Sequence, residues 1–302
     1  MFRPSEKLYP FAFHWLEIAG QRMHYLDEGP RDAPVVLMVH GNPTWSFYYR
    51  NLVLALRDRY RCIVPDHIGC GLSDKPGDAQ YRYTLARRIS DLGVLMEHLQ
   101  PNTPVHLIVH DWGGMIGFGW AAERPEQIAS MVIANTAAFP MPKEKKLPAA
   151  LWLVRNTALG ALLVRGLNAF SALAAHVAFK KPVSAELRRA YTGPYDSWAN
   201  RIATLRFVQD IPLKPEDPAW DIVVSTEARL PDFAGKPCLL VWGEKDFVFD
   251  LHFLRKWRQI FPQAKVLSYP ECGHYILEDA GQTLTQAISD FLDANEHEIT
   301  TT

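Results

Sequence analysis

The chain has 302 residues, 48% hydrophobic and 22% charged, with a formal net charge of −1. That length supports one sizeable core, and the composition is that of a globular chain rather than a disordered or fibrous one. The near-neutral charge excludes a general attraction for nucleic acid or anionic surfaces, and basic residues cluster only in "KEKK" at 143–146.

The N-terminal residues, "MFRPSEKLYPFAFHWLEIAG", hold no uninterrupted apolar run after a basic start, so no secretory signal is read and a cytoplasmic location is expected. A hairpin is expected around "WLEIAGQRMHYLDEG". Four apolar runs follow that read as buried strands: "PVVLMVH" (34–40), "YRCIVPD" (60–66), "VHLIVHD" (105–111) and "IASMVIANT" (128–136). Between them, Leu85, Ile89, Leu92, Leu95, Met96 and Leu99 recur at helical spacing. Strands alternating with helices predict an α/β fold, a mostly parallel sheet with helices on both faces. The alternation stops after "NTAAFP", resumes at "KPCLLVWGEKD" (236–246) and "AKVLSYPECGH" (264–274), and ends in a helix near 280–294. The intervening stretch carries no strand signal. It is expected to be a helical cap over residues 139–228, inserted into a core domain made of 1–138 and 229–302. Its segment "LPAALWLVRNTALGALLVRGLNAFSALAAHVAF" is strongly apolar, but Arg155, Asn156, Arg165 and Asn168 interrupt it before about 20 apolar residues accumulate, so no transmembrane segment is expected.

In an open parallel sheet, ligands bind beyond the carboxyl ends of the strands. Four polar signals stand at such ends. The first is "HGNPTW", in which Gly41 permits close backbone approach and Asn42 offers two side-chain N–H donors, though an Asn-Pro turn alone reads as a simple loop. The second is Asp111 in "VHDWGGMIG", a sharp strand-to-helix turn of the nucleophile-elbow kind. Gly113 supplies the small residue expected two positions after the nucleophile, whereas Val109 occupies the one expected two before. The third is Asp246 in "GEKD" and the fourth His274 in "GH". An isolated Asp or His in a loop is ordinarily a solvated polar residue. Nucleophile, acid and histidine in this chain order, each at a strand end, instead point to a catalytic triad. Asp250 is the rival acid but begins a helix and reads as its cap. At the earlier strand end, where some enzymes of this kind place the acid, stands Asn135, whose amide cannot serve. His40 and His110 read as packed structural residues and Asp66 as a turn organiser. The four cysteines (Cys62, Cys70, Cys238, Cys272) lack metal-ligand spacing, and no disulfide, metal or cofactor is expected.

An Asp nucleophile suits displacement at an sp³ carbon, leaving an ester on the enzyme that a His-activated water can resolve. The departing anion needs donors, for which Asn42 and the Trp112 indole are placed.

Together "HGNPTW", "VHDWGGMIG", "GEKD" and "GH" resemble the haloalkane dehalogenase branch of the α/β-hydrolase superfamily. The resemblance implies Asp111 as nucleophile, His274 and Asp246 as its partners, and Asn42 and Trp112 as the leaving-group site. "NTAAFP", "PYDSWANRIATLRFVQDIPL" (194–213) and "FVFDLHFL" (247–254) resemble the β-lactone decarboxylases of bacterial long-chain olefin biosynthesis. This second resemblance implies cleavage of a cis-β-lactone with two alkyl chains to a cis-alkene and carbon dioxide. It also implies a hydrophobic small-molecule substrate rather than nucleic acid, and the apolar cap leads to the expectation of association with other enzymes of that biosynthesis or with a membrane surface. The motifs leave three other readings open: a haloalkane dehalogenase; an epoxide hydrolase with Tyr191 and Tyr195 as activators; and, more distantly, a receptor that has lost catalysis.

Overall fold

The computed structural model describes the backbone of residues 2–300, and side chains as far as Glu296. Residue 1 and residues 301–302, the extreme ends of the expected core ranges, lie outside it. Eight strands form one sheet: β1 (His14–Ile18), β2 (Gln21–Glu28), β3 (Val35–Val39), β4 (Arg61–Pro65), β5 (Val105–Asp111), β6 (Ile128–Thr136), β7 (Cys238–Gly243) and β8 (Lys265–Tyr269). Their order is β1-β2-β4-β3-β5-β6-β7-β8. Strands β3 to β8 run parallel, and β2 joins β4 antiparallel as part of the N-terminal hairpin. The hairpin turns at Ala19-Gly20, both at positive φ, the backbone a tight two-residue connection requires. Strands β3, β4 and β5 are buried along their whole length, which accounts for the apolar runs "VVLMV", "CIV" and "LIV" at their centres.

Helices α1 (Arg50–Leu56), α2 (Leu85–Leu99), α3 (Trp112–Ala121), α10 (Leu251–Ile260), α11 (Ile276–Asp279) and α12 (Gly281–Thr300) accompany the sheet, and α4 to α9 form a separate helical segment between β6 and β7. The intervening helices are α4 (Ala149–Asn156), α5 (Ala158–Leu167), α6 (Ala169–Val177), α7 (Ala185–Thr192), α8 (Ile202–Gln209) and α9 (Trp220–Arg229). Two apolar clusters result. One contains Leu37, Leu107, Ile116, Phe118, Leu240 and Trp257; the other contains Met38, Ile108, Val132, Leu239 and Ile288. The alternation of β5 explains the division, since Leu107 and Ile108 point to opposite faces. α9 packs against α3 and buries Val223 in the first of these clusters, so the end of the helical segment adjoins the core's own helix layer.

Helix α3 lies unusually close to the sheet. A methyl group at Gly113 would stand 1.9 Å from the Val39 carbonyl oxygen, and one at Gly114 would stand 2.1 Å from Thr136 Oγ1. Farther along α3, a methyl at Gly117 would approach Val109 Cγ1 to 2.8 Å. Val109, the residue that departs from the small-residue elbow pattern, is therefore accommodated by a glycine in the second turn of the helix. The two positions exchange volume. Gly117→Ala is expected to destabilise the fold by about 1–3 kcal/mol through overpacking. Val109→Ala made in that background should recover about 1 kcal/mol relative to strict additivity, measured as a double-mutant cycle by denaturant unfolding. Additive effects would show that the two residues do not share this space.

Candidate active site

Asp111 ends β5 with φ 53° and ψ −127°, a conformation unfavourable for a residue with a Cβ and diagnostic of a strained elbow. The strain is held from both sides. Thr136 Oγ1 donates to the Asp111 carbonyl, and glycines at 113 and 114 let α3 start without collision. The carboxylate is then aimed at the loop after β3. Its Oδ1 accepts the backbone N–H of Asn42 at 2.6 Å, and the Trp112 backbone N–H also donates to the carboxylate. Gly41 is required for that approach, because a methyl there would stand 2.0 Å from Asp111 Oδ1. The sequence suggested that Gly41 admits a ligand; what it admits is the Asp111 carboxylate.

His274 follows β8. Its Nδ1 lies 2.7 Å from Asp246 Oδ2, and its Nε2 lies 3.5 Å from Asp111 Oδ2. Asp246 is fixed in turn by the backbone N–H groups of Val248 (2.8 Å) and Phe249 (3.2 Å) on its Oδ1. His110 Nε2 donates to the His274 carbonyl at 2.8 Å and so anchors the loop from below. Asp111, Asp246 and His274 thus meet at one point from the ends of three strands, all three buried. Asp250 does not join them. It caps α10 by accepting the His252 N–H at 3.0 Å and pairs with Lys145 at 2.8 Å. Asn135 occupies the strand end where an acid was considered. Its amide donates to the carbonyls of Gly243 and Phe249 and accepts the Gly243 N–H, which ties β6 to the Asp246 loop.

The charges respond to this burial. Desolvation pushes the Asp111 carboxyl above its ordinary value, although His274 and the Asn42 and Trp112 N–H groups oppose it. For His274, burial disfavours the imidazolium, but the Asp246 charge and hydrogen bond, with Asp111 behind them, outweigh it and raise the pKa. Asp66, buried behind the site, is opposed by desolvation yet held down at about 2 by His24 and the Leu72 N–H, and it accepts the Ser46 N–H as well. It organises two loops, as a turn residue should.

Asn42 and Trp112 both border the cavity above Asp111. One Asn42 Nδ2 hydrogen is committed to the Thr204 carbonyl of α8 at 3.1 Å, leaving the second for an anion. The opposite amide orientation would set two carbonyl oxygens against each other, so the donor assignment is secure on chemical grounds. The Trp112 indole N–H makes no hydrogen bond to the described residues. Apart from His274 and Lys145, the rest of the lining is apolar, including Met115, Phe139 and Phe249 from the core and Leu151, Leu163 and Phe170 from the helical segment. Tyr191 and Tyr195 do not border it. The Tyr191 hydroxyl donates to Glu278, and Tyr195 is buried against the Thr44 carbonyl. Neither reaches the position needed to activate an epoxide, so that reading is set aside. Cys272 lies near the site, but burial raises its thiol pKa and nothing activates it. The sequence reading missed the backbone donors of Asn42 and Trp112. Their signal was present in Gly41 and in the elbow, but N–H direction depends on a fold that brings β3 beside β5.

Residues 34–281 match the family described as alpha/beta hydrolase fold. A protein named cis-3-alkyl-4-alkyloxetan-2-one decarboxylase from Shewanella oneidensis is 56% identical over 292 residues, covering 96% of this chain and 91% of that protein. One of the same name from Xanthomonas campestris is 50% identical, covering 91% and 94%. The crystal structure of haloalkane dehalogenase DbeA from Bradyrhizobium elkani superposes with a TM-score of 0.85 at 26% identity, covering 95% of this chain and 99% of that one.

Two outcomes are expected from this geometry. A carboxyl group whose pKa is raised by folding costs stability once pH exceeds its ordinary value of 3.8. Asp111→Asn should therefore abolish turnover yet raise Tm at neutral pH, by about 2 °C for each kcal/mol relieved. The gain should shrink as pH falls towards 3.8, and a lowered Tm throughout would contradict the assigned burial cost. Asp246→Asn should lower kcat by about 10³-fold or more and lower the His274 pKa in an NMR titration, whereas Asp250→Asn should change neither appreciably. Equal losses would mean that Asp246 is not the acid.

Proposed function

Since this chain belongs to the α/β-hydrolase fold family, and within it to the group of the cis-3-alkyl-4-alkyloxetan-2-one decarboxylases, we propose that Asp111 is the nucleophile with which it converts such β-lactones to alkenes. The enzyme is a carbon–carbon lyase on a hydrolase scaffold. The observation that carries the roles is a carboxylate held at a strained elbow by backbone N–H groups, under a cavity whose walls are apolar apart from the reacting end and Lys145, which is paired with Asp250.

The chemistry closes without water or a net proton. The Asp111 carboxylate attacks the sp³ ring carbon bonded to the ring oxygen and forms an ester with inversion. The carbon–oxygen bond breaks, and the ring acyl group becomes a free carboxylate on the neighbouring carbon. The Asn42 side-chain N–H and the Trp112 indole N–H hold that carboxylate. The electrons of its bond to the carbon chain then form the double bond, carbon dioxide departs, and the ester carbon–oxygen bond returns its pair to Asp111. Inversion followed by anti elimination gives net syn geometry, so a cis-lactone yields a cis-alkene. As Asp111 is expelled, its carboxylate is received by the Asn42 and Trp112 backbone N–H groups and by the His274 imidazolium, which Asp246 stabilises. The ester is exposed to a competing reaction, since water activated by His274 would yield a β-hydroxy acid. The apolar lining suppresses it by excluding water.

Two long alkyl chains suit the cavity's lining, each buried methylene contributing about 0.8 kcal/mol. We divide the chain functionally into a core of residues 1–138 and 229–302 and a cap of 139–228, the cap supplying the chain-binding walls. Its place is in long-chain olefin biosynthesis, a branch of lipid metabolism, in the cytoplasm, beside enzymes that make the lactone. Haloalkane dehalogenation is the other reaction these parts can perform, because halide and carboxylate are both anions that two N–H donors accept.

Labelled water separates them. In water enriched with oxygen-18, dehalogenation resolves the ester at the Asp111 carbonyl and labels Asp111, whereas decarboxylation regenerates Asp111 unlabelled. With a long-chain cis-β-lactone, rapid cis-alkene formation and an unlabelled Asp111 peptide by mass spectrometry are expected, with bromide released slowly from bromoalkanes. Asn42→Ala and Trp112→Phe should each slow the lactone reaction by on the order of 10²-fold. Fast bromide release with the lactone untouched would make the protein a dehalogenase.

A further inference from the structure

Helices α4, α5 and α6 are apolar on faces that nothing in the structure covers. α5 lines the cavity with Leu163 and Val164, while Leu159 and Leu162 are 56% and 55% exposed. Trp152 of α4 is 52% exposed, Leu167 at the end of α5 72%, and Leu173 of α6 53%. A helix apolar all round is ordinarily a buried one. The patch is continuous with the cavity, since Leu173 and Phe247 both line it and stand open to solvent, forming its mouth. Trp198 is 50% exposed nearby, with the Arg165 guanidinium 4.6 Å over its ring.

Charge identifies what covers this face. Residues 143–181 hold seven Lys and Arg against one acid, Glu144, in a chain whose net charge is −1. Arg155 pairs with Asp217 and Lys145 with Asp250. Lys143, Lys146, Lys180 and Lys181 are exposed and make no ion pair among the described residues. They bracket the three helices in the chain. Two copies of the chain meeting through this face would set these cations against one another.

We propose that α4 to α6 form a docking surface for an anionic lipid bilayer, lying in its interface with Trp152, Leu159, Leu162 and Leu167 inserted and the flanking lysines on the headgroups. The geometry is that of an interfacial helix pair and not of a span. No single helix among the described residues is long and apolar enough to cross a membrane, and α4 and α5 meet at 98°. Basic residues beside inserted Trp and Leu are the composition by which such surfaces recognise anionic lipid. The use of the surface rests on the long-chain lactone reading, because such a substrate partitions into lipid and a mouth placed on the bilayer receives it without passage through water.

Flotation with vesicles tests the surface apart from the chemistry. The full chain should bind phosphatidylglycerol/phosphatidylethanolamine vesicles at low salt, bind phosphatidylcholine vesicles at least tenfold less, and release as salt rises. The combined variant Trp152→Gln/Leu159→Gln/Leu162→Gln and, separately, Lys143→Glu/Lys146→Glu/Lys180→Glu/Lys181→Glu should each lose at least tenfold in vesicle binding. Both should keep full turnover of a short-chain, water-soluble β-lactone in the absence of vesicles, which also reports that they are folded. Failure of the unmodified chain to float with anionic vesicles, or undiminished flotation of either variant, would overturn the docking surface and leave the decarboxylase reading standing. Vesicle binding without turnover of any lactone would do the reverse.

Discussion

A buried carboxyl group, Asp111, whose charged form burial disfavours, is the constraint around which this molecule is arranged. Removing Asp111 from water is unfavourable unless groups that themselves need no reorganisation receive its charge. Backbone N–H groups at Asn42 and Trp112 meet that need, and the Asn42 N–H approaches to 2.6 Å only because residue 41 has no side chain. The same requirement explains the positive φ of Asp111: the elbow turns the carboxylate out of the sheet and towards the loop after β3. Glycines at 113 and 114 then follow from the closeness of α3 to Val39 and Thr136.

Around this centre, buried polar groups serve as fasteners. Asn135 ties β6 to the loop that carries Asp246, His110 holds the carbonyl of His274, and Asp66 gathers the loops after β3 and β4. None touches the cavity, yet each fixes a strand end that does. Replacing any of them by an apolar residue would leave partners unsatisfied in the interior, where such a group costs about 1–3 kcal/mol. The rigidity suits the proposed reaction, in which one carboxylate serves first as nucleophile and then as leaving group at the same position.

The helical segment has the opposite character. It contributes an apolar wall inside and an uncovered apolar face outside, and polar contacts join it to the core at its margins: Asn42 to Thr204, Lys145 to Asp250, Arg206 to Asp78. A rigid polar floor under a greasy roof separates the two tasks of ionic chemistry and hydrocarbon binding.

Much of this was written in the chain. Strand periodicity established the parallel sheet, since a strand buried on both faces has to be apolar throughout, and the order Asp111, Asp246, His274 at strand ends announced the site because only the sheet's carboxyl edge brings such residues together. Asp250 was recognisable as a cap and Asn135 as unable to act as an acid from side-chain chemistry alone. Three matters were decided only by the tertiary structure. Val109, an apparent fault in the elbow, is matched by Gly117, a volume exchange between strand and helix that no local pattern encodes. Tyr191 and Tyr195, which left epoxide opening in play, face Glu278 and Thr44 instead of the cavity. The backbone donors to Asp111 were invisible as well. Every residue carries the same N–H group, and only the packing of β3 beside β5 determines which of them points at the charge.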